Sequence, residues 1–409
     1  MESRQAQIFL VPEIPQQKHV IILGAGASAT SGYPLADKLR ILMSSESELR
    51  AELSRLGIIS TEKITAIMAE TMRGPMKDVI ELFRHGGFAS VDEFSSLAKS
   101  TLLEEVQHLK RLLRFVLSLH DPEINFHQSD YYSFIQRLFY RGIFPLRNDV
   151  AILTFNYDPY LPYLLEKAYQ IRCRAVRKPA EANAVNALTS GFALRLAGPL
   201  EPGNELCVLQ LHGTTAWPGR SVGATELYYG DLFGTSIDHR VDKLCFSSTR
   251  NVASPILFPW EILDENGNHV DEQHFCINEQ PDLRGYRQAG YIGPISIHKL
   301  FTSIWKRAQL EISRATKISF VGLSMHEFLN PAYKFLFQHK PNNVPIIIVN
   351  RDQAYFAKTD YPAANPRSPA GKVDQVLKET WPVWKNTLPV DRRIGVCESF
   401  EEFIKLEMD

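Results

Sequence analysis

His19-Val20-Ile21-Ile22-Leu23 runs directly into Gly24-Ala25-Gly26-Ala27-Ser28-Ala29-Thr30-Ser31-Gly32-Tyr33-Pro34. The first five residues, β-branched or aliphatic after the histidine, read as a buried strand, and the glycines behind them as a tight turn into a helix. In open α/β sheets this unit binds phosphate. Glycines at 24 and 26 let the backbone approach a pyrophosphate, and the N–H groups that open the helix face the anion. The same string also serves as a plain tight connection, so alone it leaves both uses open.

Two later apolar runs also end in polar residues. Val150-Ala151-Ile152-Leu153-Thr154-Phe155 delivers Asn156-Tyr157-Asp158, and Leu206-Cys207-Val208-Leu209-Gln210-Leu211 delivers His212-Gly213. Each has an ordinary use: Asn156 and Asp158 can cap a helix begun by Pro159, and a lone histidine commonly serves as a hydrogen-bonded structural residue. Ligands of open α/β sheets sit at the carboxyl ends of strands, so the three ends together predict one shared crevice. The expected fold is α/β, with a Rossmann-like, mostly parallel sheet.

Gly24-Ala25-Gly26-Ala27-Ser28 with Ser31-Gly32-Tyr33-Pro34, Thr154-Phe155-Asn156-Tyr157-Asp158, Leu211-His212-Gly213 and Val321-Gly322-Leu323-Ser324 stand in the order of sirtuin motifs. The chain resembles the sirtuin (silent information regulator) superfamily. More narrowly, it resembles the bacterial sirtuin-like NAD hydrolases of anti-phage defence, which carry a Thr-Phe-Asn-Tyr-Asp type motif where deacylases have Thr-Gln-Asn-Ile-Asp. The likeness consists of motifs spread from His19 to Asn350. It implies that NAD+ is the substrate, held by Gly24, Ala25, Gly26, Ser28, Pro34 and Thr154. It further implies that Gly322 and Ser324 meet the phosphates or adenosine ribose, and that Asn350 meets the adenosine ribose. Ser28 and Ser31 can equally cap the following helix, and Asn350 can equally be a strand-end turn residue.

The chemistry this implies is cleavage of the nicotinamide N-glycosidic bond. Asn156 offers donors and an acceptor to a ribose hydroxyl or the attacking water. His212, with an ordinary pKa of ~6.5, is the expected general base. Asp158 takes the nicotinamide carboxamide N–H, as the matching acid does in sirtuins, or sets its charge against the developing cation at C1′.

Departures from the deacylase pattern narrow the activity. Tyr33-Pro34 is followed by Leu35-Ala36-Asp37 rather than Asp-Phe-Arg, and only Cys245 and Cys276 lie between the His-Gly and Gly-x-Ser motifs. Two thiols cannot build the four-thiolate site that deacylases hold there, so no zinc is expected. The expected activity is therefore an NAD+ glycohydrolase releasing nicotinamide and linear or cyclic ADP-ribose. A protein deacylase and a catalytically idle NAD or ADP-ribose sensor are the alternatives. A hydride-transferring dehydrogenase ranks last, because residues 44–48 read as helix where an acid should end a second strand. Relatives of the defence type act with a HerA-type ATPase or a short Argonaute, so the resemblance implies a homo-oligomer controlled by such a partner.

Residues 44–119 read as almost continuous helix, with Leu102, Val106, Leu109, Leu113, Val116 and Leu117 at helical spacing. This divides the chain into a catalytic part, 1–43 and 145–409, and a helical insertion, 44–144. A lid, a self-assembly surface and plain core-covering helices are competing uses for it. Ser90 with Glu93 reads as a capping box. A helix over 159–169, loops over 172–205 and 217–251, and a short strand over 255–260 follow. A helix over 296–315, strands over 317–322, 344–350 and 394–396, and a closing helix over 399–406 complete the pattern.

The 409 residues, 44% hydrophobic, suffice for one large α/β core with a helical addition. A net charge of −1 speaks against strong direct nucleic-acid binding. Five scattered cysteines fit a reducing cytoplasm. The polar start Met1-Glu2-Ser3-Arg4 and the lack of any ~20-residue apolar run predict neither a signal peptide nor a membrane span.

Overall fold

Strands form where β-branched and aliphatic runs can be buried on both faces. β1 (Lys18–Leu23), β2 (Val150–Thr154), β3 (Cys207–Gln210), β4 (Ala315–Val321), β5 (Ile346–Val349) and β6 (Ile394–Cys397) make one six-stranded sheet. The computed structural model describes residues 18–29, 31–57, 60–71, 75–86, 88, 91–98, 103–120, 127, 129–139, 147, 149–158, 160–161, 164–165, 167–168, 171, 206–214, 256–263, 297–323, 329–341, 344–349, 394–397 and 399–408. Strand order is β3-β2-β1-β4-β5-β6, and every neighbouring pair is parallel. This is the order of a Rossmann-like doubly wound sheet, with its switch point between β1 and β4.

The register aligns the carboxyl ends. Gln210, Thr154, Leu23, Val321, Val349 and Cys397 form one row across the sheet through successive pairings. The three motif-bearing ends therefore emerge side by side. Bonds past the row keep them in step: Phe155 N donates to Leu23 O at 3.0 Å and Leu211 N to Thr154 O at 3.0 Å.

Side chains alternate between two cores. Ile21, Leu23, Val150, Ile152, Val208 and Val321 share one cluster with Leu53, Ile67, Phe83, Phe94, Val106 and Leu113. The latter belong to a run of helices: α2 (Ala36–Ser44), α3 (Glu46–Arg55), α4 (Thr61–Thr71), α5 (Pro75–His85), α6 (Val91–Ala98) and α7 (Leu103–Ser118). They follow α1 (Ala25–Ala29) and precede α8 (Asp130–Arg137). The helical block thus covers one face of the sheet and shares its core. Val20, Ile22, Leu153, Leu209 and Phe320 point to the other face. There they meet Ile304, Trp305, Ala308 and Ile312, on a long helix whose apolar residues recur at three- and four-residue intervals.

α9 (Pro259–Ile262), α10 (Ile297–Ser313), α11 (Asn330–Phe337) and α12 (Phe400–Glu407) complete the chain. α12 starts where Ser399 Oγ accepts from Glu402 N at 3.0 Å, a side-chain cap. The strand expected over 255–260 is corrected: residues 256–258 lie outside any strand, and Pro259 opens α9. Proline lacks the N–H a ladder needs but suits a first helical position. Glu261 Oε2 then accepts from Phe258 N at 2.7 Å and closes the turn. The described positions of the 159–169 helix are helical, Tyr160, Leu161, Leu164, Leu165 and Ala168 being buried. The Ser90 cap and the loops over 172–205 and 217–251 lie outside the described residues. No helix among the described residues is long and apolar enough to cross a membrane.

At the switch point two turns touch backbone to backbone. A Cβ on Gly24 would stand 2.5 Å from Leu323 Cα, and one on Gly26 would stand 2.7 Å from Gly322 Cα. Gly322 has φ +60°, and a Cβ there would meet Ala27 N at 2.3 Å. Strain and overlap together predict that Gly322→Ala loses at least about 2 kcal/mol of stability in urea unfolding. A loss below about 0.5 kcal/mol, the range of an ordinary surface change, would contradict this packing.

Candidate active site

Ser28, Asn156 and Asp158 are joined by hydrogen bonds past the ends of β1 and β2, and His212, past the neighbouring end of β3, is tied to the same β2 exit through Tyr157. Ser28, the fifth residue past β1, donates its hydroxyl to Asp158 Oδ2 at 2.9 Å and accepts from Asn156 Nδ2 at 3.1 Å. Asn156 N is held by Thr154 Oγ1 at 3.0 Å, so Thr154 shapes the exit from β2. Tyr160 N donates to Asp158 Oδ1 at 3.0 Å, and Thr214 Oγ1 donates to Asp158 O at 2.9 Å. Amide, carboxylate and hydroxyl are therefore fixed by one another.

His212 sits on the neighbouring strand end, 1% exposed. Its ring lies edge-on to Phe155 at 5.3 Å between centroids, beside Tyr157 at 5.2 Å and stacked with Trp305 at 6.3 Å. Nδ1 meets Tyr157 Oη at 2.9 Å, whereas Nε2 makes no hydrogen bond among the described residues. Gln210, one row back on the same strand, is likewise buried with both amide atoms unpartnered among the described residues. Buried polar atoms without partners are rare because each costs about 1–3 kcal/mol.

The electrostatics correct one expectation. Burial pushes the His212 pKa down to about 3, so the imidazole is neutral throughout the physiological range rather than titrating near its ordinary value. Burial pushes Asp158 up to about 6, against hydrogen bonds from Tyr160, Ser28 and Asn156 that favour its charged form. Asp92, from α6, is likewise pushed up to about 6 by burial, against a hydrogen bond from Tyr157. Neither carboxylate has an ion-pair partner among the described residues.

The glycine turn is also different from the one expected. Gly24 N donates to Val321 O at 2.9 Å, Gly26 N to Gly322 O at 2.8 Å and Ala27 N to Gly24 O at 2.9 Å. The first two amides join two turns of chain and the third closes the glycine turn on itself, so none of the three is left to face an anion, and α1 is only five residues long. Ala25 and Gly26 are half-buried at the rim of the joint, as is Pro34 farther along the chain. Gly322 is half of the joint itself. Ser324 and Asn350 lie outside the described residues.

Tyr157, Asp92 and Tyr131 were not singled out from the sequence. Tyr157 donates its hydroxyl to Asp92 and touches His212, while Tyr131 Oη lies 3.4 Å from Ser28 Oγ. The one available signal was Tyr157 itself, since a buried phenol needs a hydrogen-bond partner.

No protein-family model matches the chain, and no curated protein matches it.

The raised pKa of Asp158 has a stability consequence. The folded protein holds this proton better than the unfolded chain, where the pKa is 3.8, so the contribution is complete below about pH 3.8. It is lost as pH rises through 6, and at neutral pH ionisation weighs roughly 3 kcal/mol against folding. Asp158→Asn should therefore unfold at higher urea than the wild type at pH 7.5, with the difference vanishing toward pH 4. A difference that does not change between those pH values would contradict the burial of this charge.

Proposed function

We propose that the chain is an NAD+ glycohydrolase, water replacing nicotinamide at C1′ of its ribose to give nicotinamide, ADP-ribose and a proton. The observation that carries this reading is a neutral histidine whose Nε2 has no partner among the described residues, linked through Tyr157 to the half-buried Asp92 and standing on the strand end next to that of the buried Asp158, at the carboxyl edge of a Rossmann-like sheet. A nicotinamide ring is cationic before cleavage, and positive charge develops at C1′ as the bond breaks. Negative charge in a low-dielectric site stabilises both.

The residues divide the work by their hydrogen-bonding capacity. Neutral His212 accepts through Nε2 from a ribose hydroxyl or the attacking water and orients it. Asn156, already donating to Ser28, keeps its amide at the same edge. Asp158 lends its charge or accepts a carboxamide N–H. The dinucleotide lies along the carboxyl edge of β1, β2 and β3, beside the closed joint between the glycine turn and Gly322, since ligands of such sheets bind at the carboxyl ends of strands. The motif resemblance adds the biological setting: an NAD-depleting effector in bacterial anti-phage defence, held as a homo-oligomer under a HerA-type ATPase or short Argonaute partner.

Incubation of the purified full chain with NAD+, followed by chromatography, should yield nicotinamide and ADP-ribose in the absence of any acylated peptide. His212→Ala and Asn156→Ala should each lower the rate about 100-fold or more. Release that requires an acylated peptide would make the protein a deacylase. Release unchanged in His212→Ala would remove the histidine from the reaction.

A further inference from the structure

The helical block contributes to the site through a chain of three polar groups. Tyr157 Oη donates to Asp92 Oδ1 and lies 2.9 Å from His212 Nδ1. Asp92 stands in the first turn of α6, and α6 is tied to α9 nearby, where Trp260 Nε1 donates to Ser95 Oγ at 3.2 Å. Glu261 is a further acid near the phenol, but Lys110 holds its carboxylate at 2.6 Å with both side chains buried.

A phenol has a single proton to donate. With that proton on the Asp92 side, the phenol oxygen can only accept from the imidazole, so Nδ1 carries the ring proton and Nε2 carries the lone pair. We infer that Asp92 and Tyr157 are positioning residues that hold His212 in the Nδ1–H tautomer, leaving Nε2 as a permanent hydrogen-bond acceptor. Only the identity of the group that Nε2 accepts from rests on the proposed NAD chemistry; the tautomer rests on the hydrogen bonds. Above about pH 6 Asp92 is ionised and cannot donate, which keeps the direction of the chain fixed. The insertion on this sheet therefore supplies a group that sets the state of the candidate base, besides covering the core.

The test is long-range nitrogen–proton NMR at pH 7.5 on the full chain labelled with 15N-histidine. His212→Gln identifies the signal of interest among the 12 histidines. In the wild type the His212 proton should sit on Nδ1. Asp92→Ala frees the phenol proton to turn toward Nδ1, so the ring proton should move to Nε2. Tyr157→Phe removes a single oxygen, guards against misfolding of the other variant, and should yield a mixture of tautomers. Parallel assays of nicotinamide release should show kcat falling about 100-fold or more in Asp92→Ala, with KM for NAD+ within about twofold. A wild-type proton on Nε2, or a tautomer unchanged in both variants, would overturn the inference. The expected tautomer shift from wild type to Asp92→Ala, with a wild type that never cleaves NAD+, would support the inference while removing the proposed activity.

Discussion

Two turns of chain can lie backbone to backbone only where neither carries a Cβ, and the architecture of the candidate site depends on that contact between Gly24, Gly26 and Gly322. The contact extends the β1–β4 pairing past the ends of both strands, at the point where the strand order reverses, through Gly24 N to Val321 O and Gly26 N to Gly322 O. With that point fixed, parallel register carries the alignment outward to Thr154 and Gln210. Ser28 then lands within hydrogen-bond reach of Asn156 and Asp158, more than a hundred residues away in the chain. Fold and site therefore share one constraint.

The site is held in place at a cost to stability. The buried Asp158 carboxylate, the half-buried Asp92 carboxylate and a Gln210 amide with no partner among the described residues each oppose folding, and the surrounding apolar clusters offset them. The helical block takes part in this balance through Asp92 to Tyr157, Ser95 to Trp260 and Lys110 to Glu261. Polar contacts of that kind tie the block to the candidate site. A partner or second copy acting on those helices would have a direct route to His212.

Much of the fold was legible because the strands are strongly apolar and stop abruptly at polar residues, as at Asn156 and His212. The parallel α/β character and the long helical run followed from the same patterning, whereas the strand order came only from the structure. What escaped had specific physical causes. A glycine turn is the same string whether its neighbour is a phosphate or another backbone, so the joint with Gly322 was invisible at Gly24. Burial is a property of the folded chain, so the low pKa of His212 could not be read from an isolated residue. Asp92 stands 65 residues from Tyr157 and looks like an ordinary acid in a first helical turn. The run ending at Pro259 is as apolar as a strand, and only the helix-starting role of proline separates the two readings.

The most direct measurement is a crystal structure of the full chain with an NAD+ analogue in which carbon replaces the nicotinamide ribose ring oxygen, blocking cleavage. The account predicts a ribose hydroxyl, or a water beside C1′, about 3 Å from His212 Nε2, with the nicotinamide facing Asp158. An analogue bound away from the carboxyl edge of β1, β2 and β3, or one whose ribose leaves Nε2 without a partner, would contradict it.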